Sequence, residues 1–416
     1  MGGAKQLTFD ELERMEINEK MDKAIVKRVK GPYELPEGWK WTKLKDIVTE
    51  DRDQISPQDF PDQEFWLVTM DCVEPNTGKL LQRVVVRGKE IKSVKFRFNS
   101  KHILYGKLRP YLNKVYAPDG EGICTTEFIP LLPDHGIYRD FLAIYLRTQY
   151  VVNYAMKNLT GARQPRVDLN AFFKLPVPIP FKNNKPDLEE QKRIVAKIQE
   201  LFSKIDRIKE LRRQAREEAE NLLKAALHHV FSRADERGWK WVRLRDVVEV
   251  WDNYRIPVKK EDRKKGPYPY CGANGIIDHV NGYTHEGEFL LVAEDGGFFG
   301  PGESTAYIMN GKFWANNHVH VLKVTNGMNI RFLMYYLNLA DLTPYLTGAT
   351  RPKLSQKPML RIPVPKPDLE EQKRIAAYLD KIAEKQRKLL ELYEQTEKEL
   401  ELVKQAILSK AFRGEL

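Results

Sequence analysis

The sequence predicts an α+β fold class: two similar globular units separated by a long antiparallel two-helix coiled coil, forming a pseudo-two-fold internal repeat. Three observations carry this. Short segments recur in the same order in both halves of the chain. Two stretches free of glycine and proline carry a stripe with a 3.5-residue period. Mixed regions of short β-like runs, punctuated by glycine, proline and asparagine, precede each stretch.

Repetition is the strongest signal. GWKWTKLKDIV (Gly38–Val48) returns as GWKWVRLRDVV (Gly238–Val248), and LTGARQPRV (Leu159–Val167) as LTGATRPKL (Leu346–Leu354). LPVPIP (Leu175–Pro180) returns as IPVPKP (Ile362–Pro367). The decapeptide KPDLEEQKRI stands unchanged at Lys185–Ile194 and Lys366–Ile375. The offsets are 200, 187, 187 and 181, so the copies differ by short insertions. A duplicated half of this size is not a short-period solenoid.

Each half then reads alike. A Trp/Gly entry segment opens it. Runs such as EFWLVTM, FLLVAE and HVHVLKV follow as strands. A helical patch comes next, YRDFLAIYLRTQYVVNYAMK in the first half and NIRFLMYYLNLADLTPYL in the second. A Pro-rich strand exits, where missing donors mark a domain edge.

The stretches Asp187–Phe231 and Asp368–Phe412 are of another kind. A Pro-Asp start with glutamates in the first turn is a helix N-terminus signature. Ile194, Ile198, Leu201, Ile205 and Ile208 begin a seam, continued at Arg212, Ala215, Ala219, Leu222 and Ala226. The second stretch repeats the phase from Ile375, Leu379 and Ile382 through Gln386 and Leu389 to Ile407. Forty-five helical residues span roughly 67 Å. Such a helix cannot bury its stripe alone, so the two pair with each other. The stripe leaves the direction open; a two-fold relation between the copies favours antiparallel pairing. The same symmetry would bring the terminal AFRGEL near YELPEGWKW. The implied boundaries are an extension over 1–34, globular units over 35–185 and 233–365, and helices over 186–232 and 366–416.

The composition, 42% hydrophobic and 31% charged over 416 residues, is that of a globular protein. No run of eighteen apolar residues spans a membrane, and the N-terminus has no apolar core of a secretory signal. Cys72, Cys124 and Cys271 lie far apart and read as thiols in a reducing compartment, which places the chain in the cytoplasm. A net charge of +11 favours a polyanionic partner such as nucleic acid.

Catalytic motifs are missing. There is no P-loop, HExxH, GxSxG or dinucleotide fingerprint, and no Asn/Asp-Pro-Pro-Tyr box. His318 and His320 lack a third ligand nearby, so no metal site is expected. Pro61–Asp62 with Glu90–Lys92 mimics a nuclease core by accident of composition. Glu294 and Asp295, adjacent in a strand, point to opposite faces. Neither a catalytic residue nor a metal ligand is assigned.

Several stretches suit nucleic-acid contact. YGKLRPYLNK interleaves Lys107, Arg109 and Lys114 with Tyr105 and Tyr111. Cations neutralise phosphate, and a planar guanidinium reads guanine edges. The turn GARQPR carries Arg163, Gln164 and Arg166, and its counterpart GATRPK keeps Arg351 and Lys353. Asn274 lies in a glycine- and asparagine-rich turn able to approach a groove. The alternatives are a solvated strand edge protected by charge for YGKLRPYLNK, a plain surface loop for the two basic turns and a β-turn series around Asn274. Lys107, Arg109, Arg163 and Arg351 are expected to contact DNA most directly. Lys114, Arg166 and Lys353 suit phosphates better. The frame repeats while these readers differ, which fits a two-part, asymmetric target. A self-contained nuclease or methyltransferase, and a coiled-coil protein adaptor, are the alternatives.

On these residues the chain resembles the specificity subunit of type I restriction-modification systems. The duplicated PDLEEQKRI, the two LTGA…PVP exits, ILYGKLRPYLNKV and GKFWANNHVHVL carry the resemblance from about Leu35 to Leu416. It implies two target recognition domains, each reading half of a bipartite double-stranded DNA sequence, with the helices as an antiparallel spacer. It implies docking of two methyltransferase subunits, with restriction subunits joining. Arg193, Lys197, Arg374 and Lys381 are candidate contacts with those partners. It implies no active site and no cofactor in this chain; S-adenosylmethionine, ATP and Mg2+ would be used by other subunits.

Overall fold

The computed structural model describes residues 29–161, 163–348 and 352–416. The chain forms two compact units: residues up to Lys209 together with Glu397–Leu416, and Glu210–Thr396. Each therefore combines one globular domain with halves of both long helices.

In each unit the exit strand pairs antiparallel with the entry strand, Pro176–Lys182 with Trp39–Lys43 and Pro363–Lys366 with Lys240–Arg243. Prolines occupy alternate positions, opposite Lys43, Trp41 and Trp39 in the first unit and opposite Arg243 and Trp241 in the second. Residues of an antiparallel pair alternate between bonded and non-bonded positions, so every missing N–H falls where the ladder needs no donor. The PVP pattern is thus compatible with a paired strand.

The principal sheets share their order. The first unit arranges Val48–Glu50, Phe128–Pro133, Ile103–Gly106 and Val115–Tyr116 side by side. In the second, Val248–Val250, Val319–Val324, His285–Ala293 and Ala306–Ala315 follow the same order, extended by the hairpin Lys265–Gly272/Gly275–Val280. A separate five-stranded sheet in the first unit has no counterpart of that size in the second among the described residues. The helical patches fold as Arg139–Leu146 with Gln149–Lys157, and as Ile330–Leu339.

The long helices run Leu188–Glu220, continued by Leu222–Phe231, and Leu369–Phe412. The first is broken at Asn221, where uninterrupted helix is the expectation. The Asn221 side chain donates to the Glu217 carbonyl, and the Gln386 side chain donates to the Glu220 carbonyl at 2.7 Å. Side-chain bonds of this kind compete with the helical ladder.

Pairing is antiparallel within each unit. In the first, Asp206 bonds Lys404 at 2.7 Å and Lys209 pairs with Glu401. In the second, Gln386 meets Glu220 and Arg212 lies over Tyr393. The seam is buried near the domains, at Ile194, Ile198, Ile205, Ala219, Ile375 and Leu379, while Ile208, Leu389 and Val403 are exposed. A two-helix pair covers only a narrow stripe, so burial depends on the domains at its ends.

The helix ends complete the cores. Phe412 packs edge-on to Phe141 and Tyr145 in the first unit; Phe231 packs on Phe332 and Trp239 in the second. The terminal residues do meet the entry segment. Tyr33 Oη donates to the Phe412 carbonyl at 3.0 Å, and the Arg413 guanidinium lies over the Tyr33 ring. Tyr33 also packs on Trp41, so the extension drawn over 1–34 ends inside the first domain. Residues 1–28 lie outside the described residues.

The repeated decapeptide acquires a structural reason. Asp187 and Asp368 cap their helices by accepting from the Glu190 and Glu371 N–H groups. Gln191 and Gln372 are fully buried. Gln191 accepts from the Tyr138 N–H at 2.8 Å and donates to the Gly136 carbonyl at 2.9 Å. Gln372 does the same to Asn329 (2.7 Å) and Gly327 (3.2 Å). Gly136 and Gly327 both have positive φ, at turns that lead into the domain helix. Each copy of the decapeptide clamps the long helix to its own domain.

Candidate nucleic-acid interface

In the first unit two basic segments, distant in sequence, are laced together. Strand Ile103–Gly106 ends at Lys107, whose N–H donates to the Glu127 carbonyl at 2.9 Å. The Val167 N–H donates back to the Lys107 carbonyl at 3.0 Å, and Arg109 N–H bonds the Pro165 carbonyl at 2.8 Å. A β-bridge joins Leu108 to Arg166. Lys107, Arg109 and the turn bearing Arg163 and Gln164 thus share one edge of the domain.

Arg109, Arg163 and Gln164 are exposed and Lys107 partly so. Among the described residues none of the three cations makes an ion pair within 4.0 Å. Arg109 holds a left-handed backbone, φ 50°, uncommon for a residue with a side chain. Lys107, Arg109 and Arg163 thus carry their charge at the surface of the domain.

Others need correction. Lys114 is only 9% exposed and its ammonium donates to the Met70 carbonyl at 2.7 Å, which makes it a structural strut and not a phosphate contact. Tyr105 is buried against Phe172. Arg166 forms a bidentate pair with Glu127, at 3.2 and 2.8 Å, so its charge is already matched. The Arg166 hydrogen bonds hold the Glu127 carboxyl below the usual carboxylate range, against the opposing effect of its partial burial. Sequence reasoning did not single out Glu127; a lone glutamate in TTEF carries no local signal.

The second unit repeats the frame and exchanges its charges. Glu294 stands where Lys107 stands: its N–H donates to the His318 carbonyl at 2.9 Å, and the Leu354 N–H donates to its carbonyl at 2.7 Å. Asp295 bridges Lys353 as Leu108 bridges Arg166. Glu294 is buried and takes Lys353 at 2.6 Å and Arg255 at 2.5 Å. Lys353 is therefore held in an internal pair, contrary to its assignment as a phosphate contact. Arg351 lies outside the described residues. Asn274 is exposed, with its side chain donating to the Gly296 carbonyl at 3.1 Å.

His320, almost fully buried, bonds Asp252 at 2.5 Å and the Leu354 carbonyl at 2.7 Å. Burial pushes the Asp252 carboxyl up, but bonds from His320 and the Val321 N–H, with Arg255 beside it, hold it below its ordinary value. Glu294 is likewise held low by Lys353, Arg255 and His320 against its burial. Ligand atoms of Asp252, Glu294 and His320 lie within 4.8 Å of one another, a spacing open to a metal ion. Arg255 and Lys353 already supply the cationic charge there, which argues against one. His318 pairs instead with Asp295; both carboxylates lie just past the strand His285–Ala293, not within it as expected. Asp62 and Glu90 are both exposed, on turns joined by the Lys89 N–H bond to Pro61.

A family model described as the type I restriction modification DNA specificity domain matches residues 36–217 and again 236–402. The chain belongs to this family. Its two domains are therefore type I specificity domains, and the repeated frame is theirs. Among curated relatives, a putative type I restriction enzyme specificity subunit of Haemophilus influenzae is 45% identical over 141 residues, 34% of this chain and 36% of that protein. The EcoprrI specificity subunit of Escherichia coli is 26% identical over 238 residues, 56% of this chain and 58% of that protein. The chain thus spans between about a third and somewhat over half the length of these relatives. Two solved structures match over their full length and more than nine-tenths of this chain. One, from work on complex assembly and conformational transition of the type I R-M system, is 25% identical with a TM-score of 0.77. The other, the HsdS subunit of Thermoanaerobacter tengcongensis, is 26% identical with a TM-score of 0.65.

On the specificity-domain helices, the candidate partner contacts are exposed. Arg193 pairs with Glu190 at 2.7 Å and also donates to the Leu416 carbonyl at 2.6 Å. Lys197 pairs with Glu200 at 3.0 Å and Arg374 with Glu371 at 3.4 Å. Lys381 is exposed. Among the described residues no helix is long and apolar enough to cross a membrane.

Proposed function

We propose that this chain is the non-catalytic DNA-recognition subunit of a type I restriction-modification complex, with each domain reading one half of a bipartite, asymmetric duplex target. The observation that carries the reading is one backbone frame built twice with unlike charges on it: Lys107, Glu127 and Arg166 in one domain against Glu294, His318 and Lys353 in the other. Identical frames place both surfaces alike, while unlike side chains select different bases. The cations Lys107, Arg109 and Arg163 supply the phosphate attraction of the first domain.

The helix starts carry the same outward charges in both copies, Glu189, Lys192 and Arg193 against Glu370, Lys373 and Arg374. These faces suit two copies of one partner, the methyltransferase subunits, with restriction subunits joining that core in the cytoplasm. S-adenosylmethionine, ATP and Mg2+ are used by those subunits in this reading.

Selection from randomised duplexes by the full chain assembled with methyltransferase subunits tests the proposal. The expected product is two short half-sites at one fixed spacing. Replacing residues 35–185 by the corresponding domain of a relative should change one half-site only. No enrichment, or a single unbroken site, would overturn the reading.

A further inference from the structure

The loops that follow the equivalent strands, Lys107–Lys114 and Glu294–Thr305, share almost no sequence. Their backbones nevertheless correspond residue for residue at the start. Arg109 and Gly296 stand at the same place and both are left-handed, φ 50° and 66°. Two residues further on, the chain places an aromatic ring in each: Tyr111, 50% exposed, and Phe298, 58% exposed. The same offset of 187 relates Lys107 to Glu294, Tyr111 to Phe298 and Arg166 to Lys353.

Both rings sit on clamped loops. Before Tyr111, Pro110 is buried; after it, Asn113 donates to the Arg147 carbonyl at 2.8 Å and its own carbonyl takes the Asn76 N–H. Around Phe298, the Asn274 side chain holds the Gly296 carbonyl, and buried Thr305 donates to the Phe298 carbonyl at 2.6 Å. The next residue, Phe299, is buried and bonded through its carbonyl to Leu342. A large ring held in water by a rigid loop loses little entropy on contact. In the first domain it stands beside the cations Lys107 and Arg109, which draw in phosphate.

Resting on the DNA-recognition reading above, we propose that Tyr111 and Phe298 are a matched pair of aromatic DNA contacts, one in each half-site, packing on bases of the duplex. Ring contact with a thymine methyl or a partly unstacked step reads sequence by shape and deformability, without needing a charged partner. This accounts for an aromatic at both positions while the charges around them are exchanged.

The test uses the full chain with its methyltransferase subunits and the duplex it selects. Tyr111→Ala and Phe298→Ala should each weaken binding by about five-fold or more, the lower end of the loss seen on single strands when a base-stacking ring is removed. The salt dependence should stay at the parent slope, since no cation is lost. Each variant should relax preference in one half-site only, and in different ones. Tyr111→Phe and Phe298→Tyr should keep parent binding. Alanine variants that match the parent within twofold in affinity and half-site preference would overturn the inference while leaving DNA recognition standing. So would losses that track reduced thermal stability and persist in the conservative variants. A parent complex that selects no duplex would instead sink the DNA-recognition reading itself.

Discussion

Gln191→Ala should uncouple the first long helix from its own domain. The amide makes two bonds to backbone groups of one turn, the Tyr138 N–H and the Gly136 carbonyl. Gln191 is fully buried, and alanine leaves both backbone groups without this partner, each worth about 1–3 kcal/mol, so the expected loss is about 2–6 kcal/mol. Tyr138 is also the N-cap of the helix Arg139–Leu146, and its own side chain offers no cap. Hydrogen exchange should therefore show the Tyr138 amide losing roughly 30-fold or more in protection, since 2 kcal/mol at 1.4 kcal/mol per decade is about that factor. The matching amide at Asn329, held by Gln372, should be unchanged. Gln191→Glu keeps the acceptor but sets a carboxylate oxygen against the Gly136 carbonyl; protonation in acid should restore the donor, so this variant should regain stability as pH falls. Parent-like protection at Tyr138 in Gln191→Ala, with stability within about 0.5 kcal/mol, would refute the clamp.

Phe412→Ala should destabilise the first unit by about 3–5 kcal/mol, because the ring fills a core against Phe141 and Tyr145; domain-resolved hydrogen exchange or limited proteolysis would report it. Lys114→Ala should lower stability by about 1–3 kcal/mol by orphaning the Met70 carbonyl, yet leave the salt dependence of DNA binding unchanged; Lys107→Ala should do the reverse, reducing the slope by about 1. The carboxyls of Asp252 and Glu294 lie below their ordinary values, so their network stabilises the second unit above about pH 4 and the gain is lost as pH falls through the lower folded values. Glu294→Gln, which leaves Arg255 and Lys353 facing a neutral amide, should cost about 3 kcal/mol at pH 7 and flatten the acid limb of stability against pH.

Repeats, helix starts and the apolar stripe are local patterns, and local patterns were legible. Leu188 and Leu369 begin their helices where Pro-Asp predicts, and the seam positions nearest each domain are buried. The exposure of Arg109 and Arg163 was also legible, because a basic residue in a turn has few internal partners. Lys114, Arg166 and Lys353 belong to the same residue types and the same segments, yet each is spent on an internal partner. That choice depends on Met70, Glu127 and Glu294, which lie tens of positions away or carry no signal in their own neighbourhood. Gln191 and Gln372 show the converse case. Their identity in both copies was visible, but the reason was not, since the groups they satisfy are backbone atoms of a turn. By itself, the sequence determined a duplicated α+β chain with paired helices and basic turns, because periodicity and repetition are properties of neighbours along the chain. Only the tertiary structure decided which charges are neutralised and where the helix ends close the domain cores, because those depend on groups brought together by folding alone.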